Sequence, residues 1–143
     1  MNNNKMIIVP YMSVGKIYFG MTRSEVQLLL GKPDRAFFKT KDSKTLTEMF
    51  LNLSCFVYYN VDDKVEAIEA WNSCNIIIDK INLFREPYNS LVQKISKLDP
   101  EVKMNTDGFT SLKKGFSIWI EDEIKDDSLC SSIIIFDKKY YIQ

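Results

Sequence analysis

The chain of 143 residues contains no histidine. That removes the commonest metal ligand and the commonest general base together. It contains three cysteines, Cys55, Cys74 and Cys130, an odd count with no two at a CxxC spacing. Neither a disulfide scaffold nor a zinc site is expected, and the three read as reduced, buried thiols. No apolar run approaches the ~20 residues of a membrane span. The start, MNNNKMIIVPYMS, has one lysine and an apolar core of about four residues, too short for a signal peptide. The expectation is a cytoplasmic protein without membrane contact, with Asn2–Asn4 a frayed end. Net charge is missing too: nineteen basic residues balance nineteen acidic ones, which makes no case for a nucleic-acid partner. Glycine-rich phosphate loops are absent. A lone Gly20 precedes the first helical pattern, and Gly31-Lys32 follows it, at the end where a helix dipole disfavours anions.

What is present is an ordinary globular composition, 45% apolar and 27% charged, at a length that suits one domain. The segment IYFGMTRSEVQLLLGKPD reads almost residue by residue. Lys16–Phe19 is a strand. Thr22 and Glu25 form a capping box, Val26 with Leu29 or Leu30 makes the buried stripe, and Gly31 and Pro33 stop the helix. After Pro33 the period changes: RAFFKT, TLTEMFLNL, SCFVYYNV and KVEAIEAW read as strands. NVDDK is a hairpin turn in which Asn60 and Asp62 can bond their own backbone. In KVEAIEAW, Val65, Ala67 and Ile68 are expected on one face, with Glu66 and Glu69 toward solvent.

The second half reads as a degenerate copy. NIIIDKINLF restarts with an apolar run, and Ser90, Val92 and Ile95 lie on Ser24, Val26 and Leu29. Phe116–Ile120 parallels Phe56–Asn60, and SSIIIFD parallels KVEAIEAW. A second helix is expected over Glu86–Leu98, with Pro87 in its first turn. The predicted fold is α+β: one domain over residues 1–143, built from two helix-plus-antiparallel-meander repeats, about 5–71 and 75–143, around one core. A chance recurrence of helix-then-hairpin is the competing explanation.

Gly20, Met21, Thr22, Glu25, Val26, Leu30, Gly31 and Pro33 resemble the G-M-[ST]-x-x-[EQ]-[VA]-x-x-x-L-G-x-P signature of the small outer-membrane assembly lipoproteins. That resemblance implies a helical segment followed by a three-stranded antiparallel sheet. The expected absence of a signal peptide and of a lipid-attachment cysteine sets the chain apart from those lipoproteins. In overall character, small, neutral, rich in Lys, Asn and Ile, it is similar to immunity proteins of bacterial polymorphic toxins, including those of contact-dependent growth inhibition. That likeness implies a non-enzymatic protein, without cofactor or metal, that binds a cognate toxin domain and blocks it. The alternative is a structural or assembly module related to the envelope lipoproteins.

No catalytic constellation competes with these readings. Asp62, Asp63, Glu66, Glu69 and Asp79 are explained as solvated strand or turn positions, and Ser111–Lys114 is an SxxK in a turn rather than opening a helix. Glu121, Asp122, Glu123, Asp126 and Asp127 crowd one hairpin with a single Lys125. They form either a solvated loop tip or a patch complementary to a basic partner such as a nuclease. Lys39, Lys41 and Lys44 put cations on another turn. Trp119, Tyr59 and Trp71 are the candidate aromatic anchors. Tyr58 and Tyr59 alternate on one strand, so either could face solvent, and Tyr140 and Tyr141 lie in the closing KKYYIQ.

Overall fold

The apolar run near the start becomes strand β1 (Lys5–Val9). Its Met6 and Ile8 point inward while Ile7 and Val9 face out, the period of two that an extended chain imposes. The computed structural model describes residues 5–38, 40–42, 44–71 and 74–142, so Asn2–Asn4 and Lys39 lie outside the described residues. The chain folds back through β2 (Ser13–Val14) and β3 (Ile17–Tyr18) and enters helix α1 (Arg23–Leu30) at Thr22. The capping box is complete. The Glu25 N–H donates to Thr22 Oγ1 at 3.2 Å, and the Thr22 N–H donates to Glu25 Oε1 at 3.0 Å. Gly31, at φ 84°, ends the helix, and its N–H donates to the Gln27 carbonyl at 2.8 Å. Val26 is buried and Leu30 half-buried, while Leu28 and Leu29 face solvent.

Beyond Pro33 lie β4 (Arg35–Phe38), β5 (Leu46–Phe50), a 3-10 turn (Leu51–Leu53), β6 (Cys55–Tyr59) and β7 (Val65–Trp71). The stretch expected as one strand to Leu53 leaves the extended form at Leu51 and turns through Ser54, which is left-handed at φ 55°. In the β6–β7 turn Asn60 Oδ1 accepts from the Asp62 and Lys64 N–H groups at 2.9 and 3.1 Å, the self-bonding expected of an Asn there.

The second half supplies β8 (Asn75–Ile78), β9 (Ile81–Asn82), α2 (Tyr88–Leu98), β10 (Lys103–Asn105), β11 (Gly108–Ser111), β12 (Phe116–Trp119) and β13 (Ser132–Phe136). The last described element is α3 (Lys138–Ile142), which sequence reasoning missed. Gly108 is required by contact: a Cβ there would lie 2.2 Å from the Ile118 carbonyl oxygen. Helix α2 starts at Tyr88, so Pro87 is its N-cap in extended backbone rather than a first-turn residue. Proline has no side-chain acceptor, and the cap comes from elsewhere: the Tyr88 and Asn89 N–H groups donate to the carbonyls of Ser128 and Asp126 at 2.8 and 2.9 Å.

The strands form two sheets. The larger has eight strands in the order β10-β11-β12-β13-β7-β6-β5-β4, antiparallel throughout. Each half of the chain contributes four consecutive strands, and the two runs meet at their last ones, where Ile133 pairs with Ala70 and Ile135 with Ile68. The smaller, β3-β2-β1-β8-β9, contains a parallel pair, β1 with β8, that sequence reasoning did not foresee. Met6, Ile8, Ile76 and Ile78 from the smaller sheet, Val26 from α1 and Leu91 and Ile95 from α2 share one core with Val57, Ile68, Phe109, Phe116, Ile133 and Ile135 of the larger sheet. The fold is α+β. Among the described residues no helix is long and apolar enough to cross a membrane.

Two expected facings shift by a residue. A bulge between Tyr58 and Tyr59 puts Val65 and Ile68 on the core side of β7 and sends Ala67 to the other side, against Tyr58 and Phe136. The matches of Phe116 with Phe56 and of Val92 with Val26 also fail in register. Phe116 is buried in the main core while Phe56 is on the opposite face, and the buried stripe of α2 is Leu91 and Ile95. Period-2 and period-3.6 elements do not tolerate a one-residue slip.

Thr22→Ala is expected to cost about 1 kcal/mol of stability by urea unfolding, with Thr22→Ser close to wild type. Glu25 is held below its ordinary 4.5 first by the Thr22 N–H and then by its hydroxyl. Its stabilising effect is therefore present above that value and lost as pH falls through the lowered one. The stability gap between wild type and Glu25→Gln should be open at neutral pH and close on acidification.

Candidate protein-binding face

The large sheet has one face packed on the core and one that carries the aromatic residues the core does not use. Strand register defines this outer face in rows. The first row runs Trp119, Ser132, Trp71. The second runs Lys103, Thr110, Ser117, Ile134, Glu69, Phe56, Met49, Arg35. The third runs Phe136, Ala67, Tyr58, Thr47, Phe37.

The third row is partly roofed. Tyr140 of α3 stacks on Phe136 at 6.3 Å, Tyr11 meets the same ring edge-on at 6.2 Å, and Leu112 and Ile134 join the cluster. The other rows stay open. Trp119 is 44% exposed, and Phe37, Met49, Phe56, Glu69, Trp71 and Ile134 are half-exposed. Their rings form a connected surface: Phe56 meets Trp71 at 5.3 Å, Phe37 at 6.1 Å and Tyr58 at 6.4 Å, and the Arg35 guanidinium sits 5.6 Å over Phe37. Isolated exposed apolar residues are ordinary, but a contiguous aromatic patch on a regular sheet face is the kind of surface that takes a protein partner.

The structure distributes the residues singled out in the sequence. Trp71 and Trp119 come together on this face, one strand apart across Ser132. Tyr59 does not join them. It is 1% exposed on the core side, where its hydroxyl donates to Glu48 Oε1 at 2.7 Å. Gln27 of α1 donates to the other oxygen of Glu48, also at 2.7 Å, so both oxygens of a fully buried carboxylate are bonded, with no cation within ion-pair distance among the described residues. Burial, then the bond to Glu48, pushes the Tyr59 phenol well above its ordinary value. Tyr58 points to the outer face yet is also buried, with its hydroxyl on Glu69.

The acidic segment starts where β12 leaves the face. Ile120 turns into the core, while Glu121, Asp122, Glu123, Asp126 and Asp127 are all exposed. The Glu121 N–H donates to Ser131 Oγ at 2.9 Å, closing the base of the loop beside Trp119. The loop is no free tip, because its Asp126 and Ser128 carbonyls cap α2. Asp126 and Asp127 therefore stand at the positive end of that helix, whereas Glu121–Glu123 border the aromatic face. Of the lysines expected on the β4–β5 turn, Lys41 and Lys44 are exposed.

Sequence reasoning missed Phe37, Phe56, Met49 and Glu69 as members of the face. The only available signal was alternation along each strand, which does not say which of the two faces packs on the core, and in β7 the bulge shifts its phase between Val65 and Ala67. Among the described residues no group of three His, Cys, Asp or Glu side chains is placed to hold a metal ion. No protein-family model, curated protein or solved structure matches the chain.

The thiols are enclosed. Burial pushes Cys55 and Cys130 up to about 12 and Cys74 up to about 11. A disulfide reagent at pH 8 should leave the native protein unreacted over minutes and titrate three thiols at once in denaturant. Rapid reaction of a native thiol would contradict this packing.

Proposed function

We propose that this chain is a non-enzymatic bacterial immunity protein that binds and neutralises a cognate toxin domain, acting in the cytoplasm. The observation that carries the reading is the connected aromatic surface Phe37–Phe56–Trp71 with Trp119 on the same sheet face, left half-exposed by the fold. Rigid aromatic side chains on a regular sheet bury area at low entropic cost, which suits a docking surface. The carboxylates Glu121, Asp122 and Glu123 bordering Trp119 favour a basic partner, as a nuclease that must hold phosphates would be. They would speed association by steering.

The second reading is an assembly module related to the small envelope lipoproteins. It is favoured by the Gly20–Pro33 segment, which folds as a capped helix leading into an antiparallel meander. Both readings use the sheet face for a protein and differ in the partner. Co-purification with the product of a neighbouring toxin-like reading frame supports the first, and capture of envelope assembly components instead supports the second.

With the co-purified partner in hand, Trp71→Ser with Trp119→Ser is expected to weaken binding by at least about 2 kcal/mol, the scale of hot-spot loss. Reversing Glu121, Asp122 and Glu123 to Lys should lower the association rate and flatten its salt dependence, with little change in the melt. Asp126 and Asp127 are left intact in that variant because a cation there would oppose the α2 dipole. Unchanged affinity in the tryptophan pair, with a normal melt, would remove this face from the interface.

A further inference from the structure

Glu69 is the only acidic residue among the rows of the outer face, and it stands near their middle. Its direct cross-strand neighbours are Ile134 and Phe56, and Ala67 and Trp71 flank it on its own strand. It is half-exposed and, among the described residues, takes one hydrogen bond, from the Tyr58 hydroxyl. Among the described residues no lysine or arginine lies within ion-pair distance of it. Arg35 belongs to the same row, but it is three strands away, roughly 14 Å at the usual strand spacing, and its guanidinium is already over Phe37. A carboxylate has room for about four donors. One ringed by apolar side chains and given a single donor is incomplete on its own surface.

The walls around it have a particular shape. The Phe56 and Trp71 rings stand 5.3 Å apart at 60°, forming a corner beside the carboxylate. A planar guanidinium can lie on one ring face while its N–H groups donate side by side to the two carboxylate oxygens. An ammonium offers no such plane. We infer that Glu69, Phe56 and Trp71 form a receptor for one arginine side chain of the docked protein. This rests on reading the sheet face as a docking surface, and it names the chemistry that the partner must bring to its centre. The acidic loop then acts at range on a basic surface, while Glu69 reads one residue of it at contact.

The test uses N-acetyl-arginine amide as the probe, with N-acetyl-citrulline amide as its neutral isostere. The chain has two tryptophans, so two indole N–H signals are expected by NMR, and Trp119→Phe assigns them. The Trp71 signal should move saturably with the arginine probe and stay still with citrulline. In Glu69→Gln, which still accepts from Tyr58, arginine binding should weaken by at least about tenfold, as expected for loss of a charge-assisted pair. Equal responses to arginine and citrulline, or an unaltered titration in Glu69→Gln, overturns the receptor. The citrulline comparison is made on wild type, so it holds even if the variant misfolds. If partner binding depends on Trp71 and Trp119 but the arginine probe does not bind, the docking face stands and the receptor falls. If the probe binds but partner binding ignores both tryptophans, the docking reading falls, and with it the receptor as a site for the partner's arginine.

Discussion

The pairing of β7 with β13 is the constraint on which the rest depends. Each half of the chain ends its four-strand run in a strand that buries most of its apolar side chains, VEAIEAW in one and SIIIF in the other. Left apart, each would expose a long apolar edge, an invitation to aggregate. Joined, they remove both edges and make one sheet of eight strands. The same join builds two surfaces at once. On one side Ile68, Ala70, Ile133 and Ile135 close the middle of the core. On the other, Trp71 and Glu69 are set beside Ser132 and Ile134, and Trp119 follows one strand on. The core and the candidate site are the two faces of one ladder.

Helix α1 is held to the large sheet by polar contacts as well as by Val26. Gln27 reaches Glu48 on β5, Glu48 is held by Tyr59 on β6, and Arg23 pairs with Asp63 in the β6–β7 turn at 2.6 Å. The Arg23–Asp63 pair is substantially exposed and adds little energy. Glu48 is different. A buried carboxylate stripped of either donor would carry a desolvation cost of roughly 1–3 kcal/mol, so the bonds specify where the helix sits. Helix α2 is held in another way, with its first N–H groups capped by the carbonyls of a loop some forty residues later. That bond pattern ties the acidic loop to the body of the protein. It also divides the loop's carboxylates into a pair serving the helix dipole and a trio bordering the aromatic face.

Much of this was legible from residues alone. Thr22, Glu25, Gly31 and Pro33 specify α1 because capping and stopping are local: the groups that must bond lie within a few residues of one another. The turn at Asn60 was readable for the same reason, as were the strands of the first meander, and the closed burial of the cysteines followed from composition. What only the tertiary structure decided is everything that depends on phase or on a distant partner. The bulge opposite Tyr58 changes which side chains of β7 face the core, and no residue type announces it. The parallel pairing of β1 with β8 and the cap of α2 by Asp126 and Ser128 join segments far apart in the chain. Tyr59 went inside because Glu48 was there to accept its hydrogen bond, while Trp71 and Trp119 share a face because β13 pairs with both of their strands. The sequence by itself determined those elements whose causes lie within a few residues. The candidate site is a property of register between strands, and register is settled only when the two halves find each other.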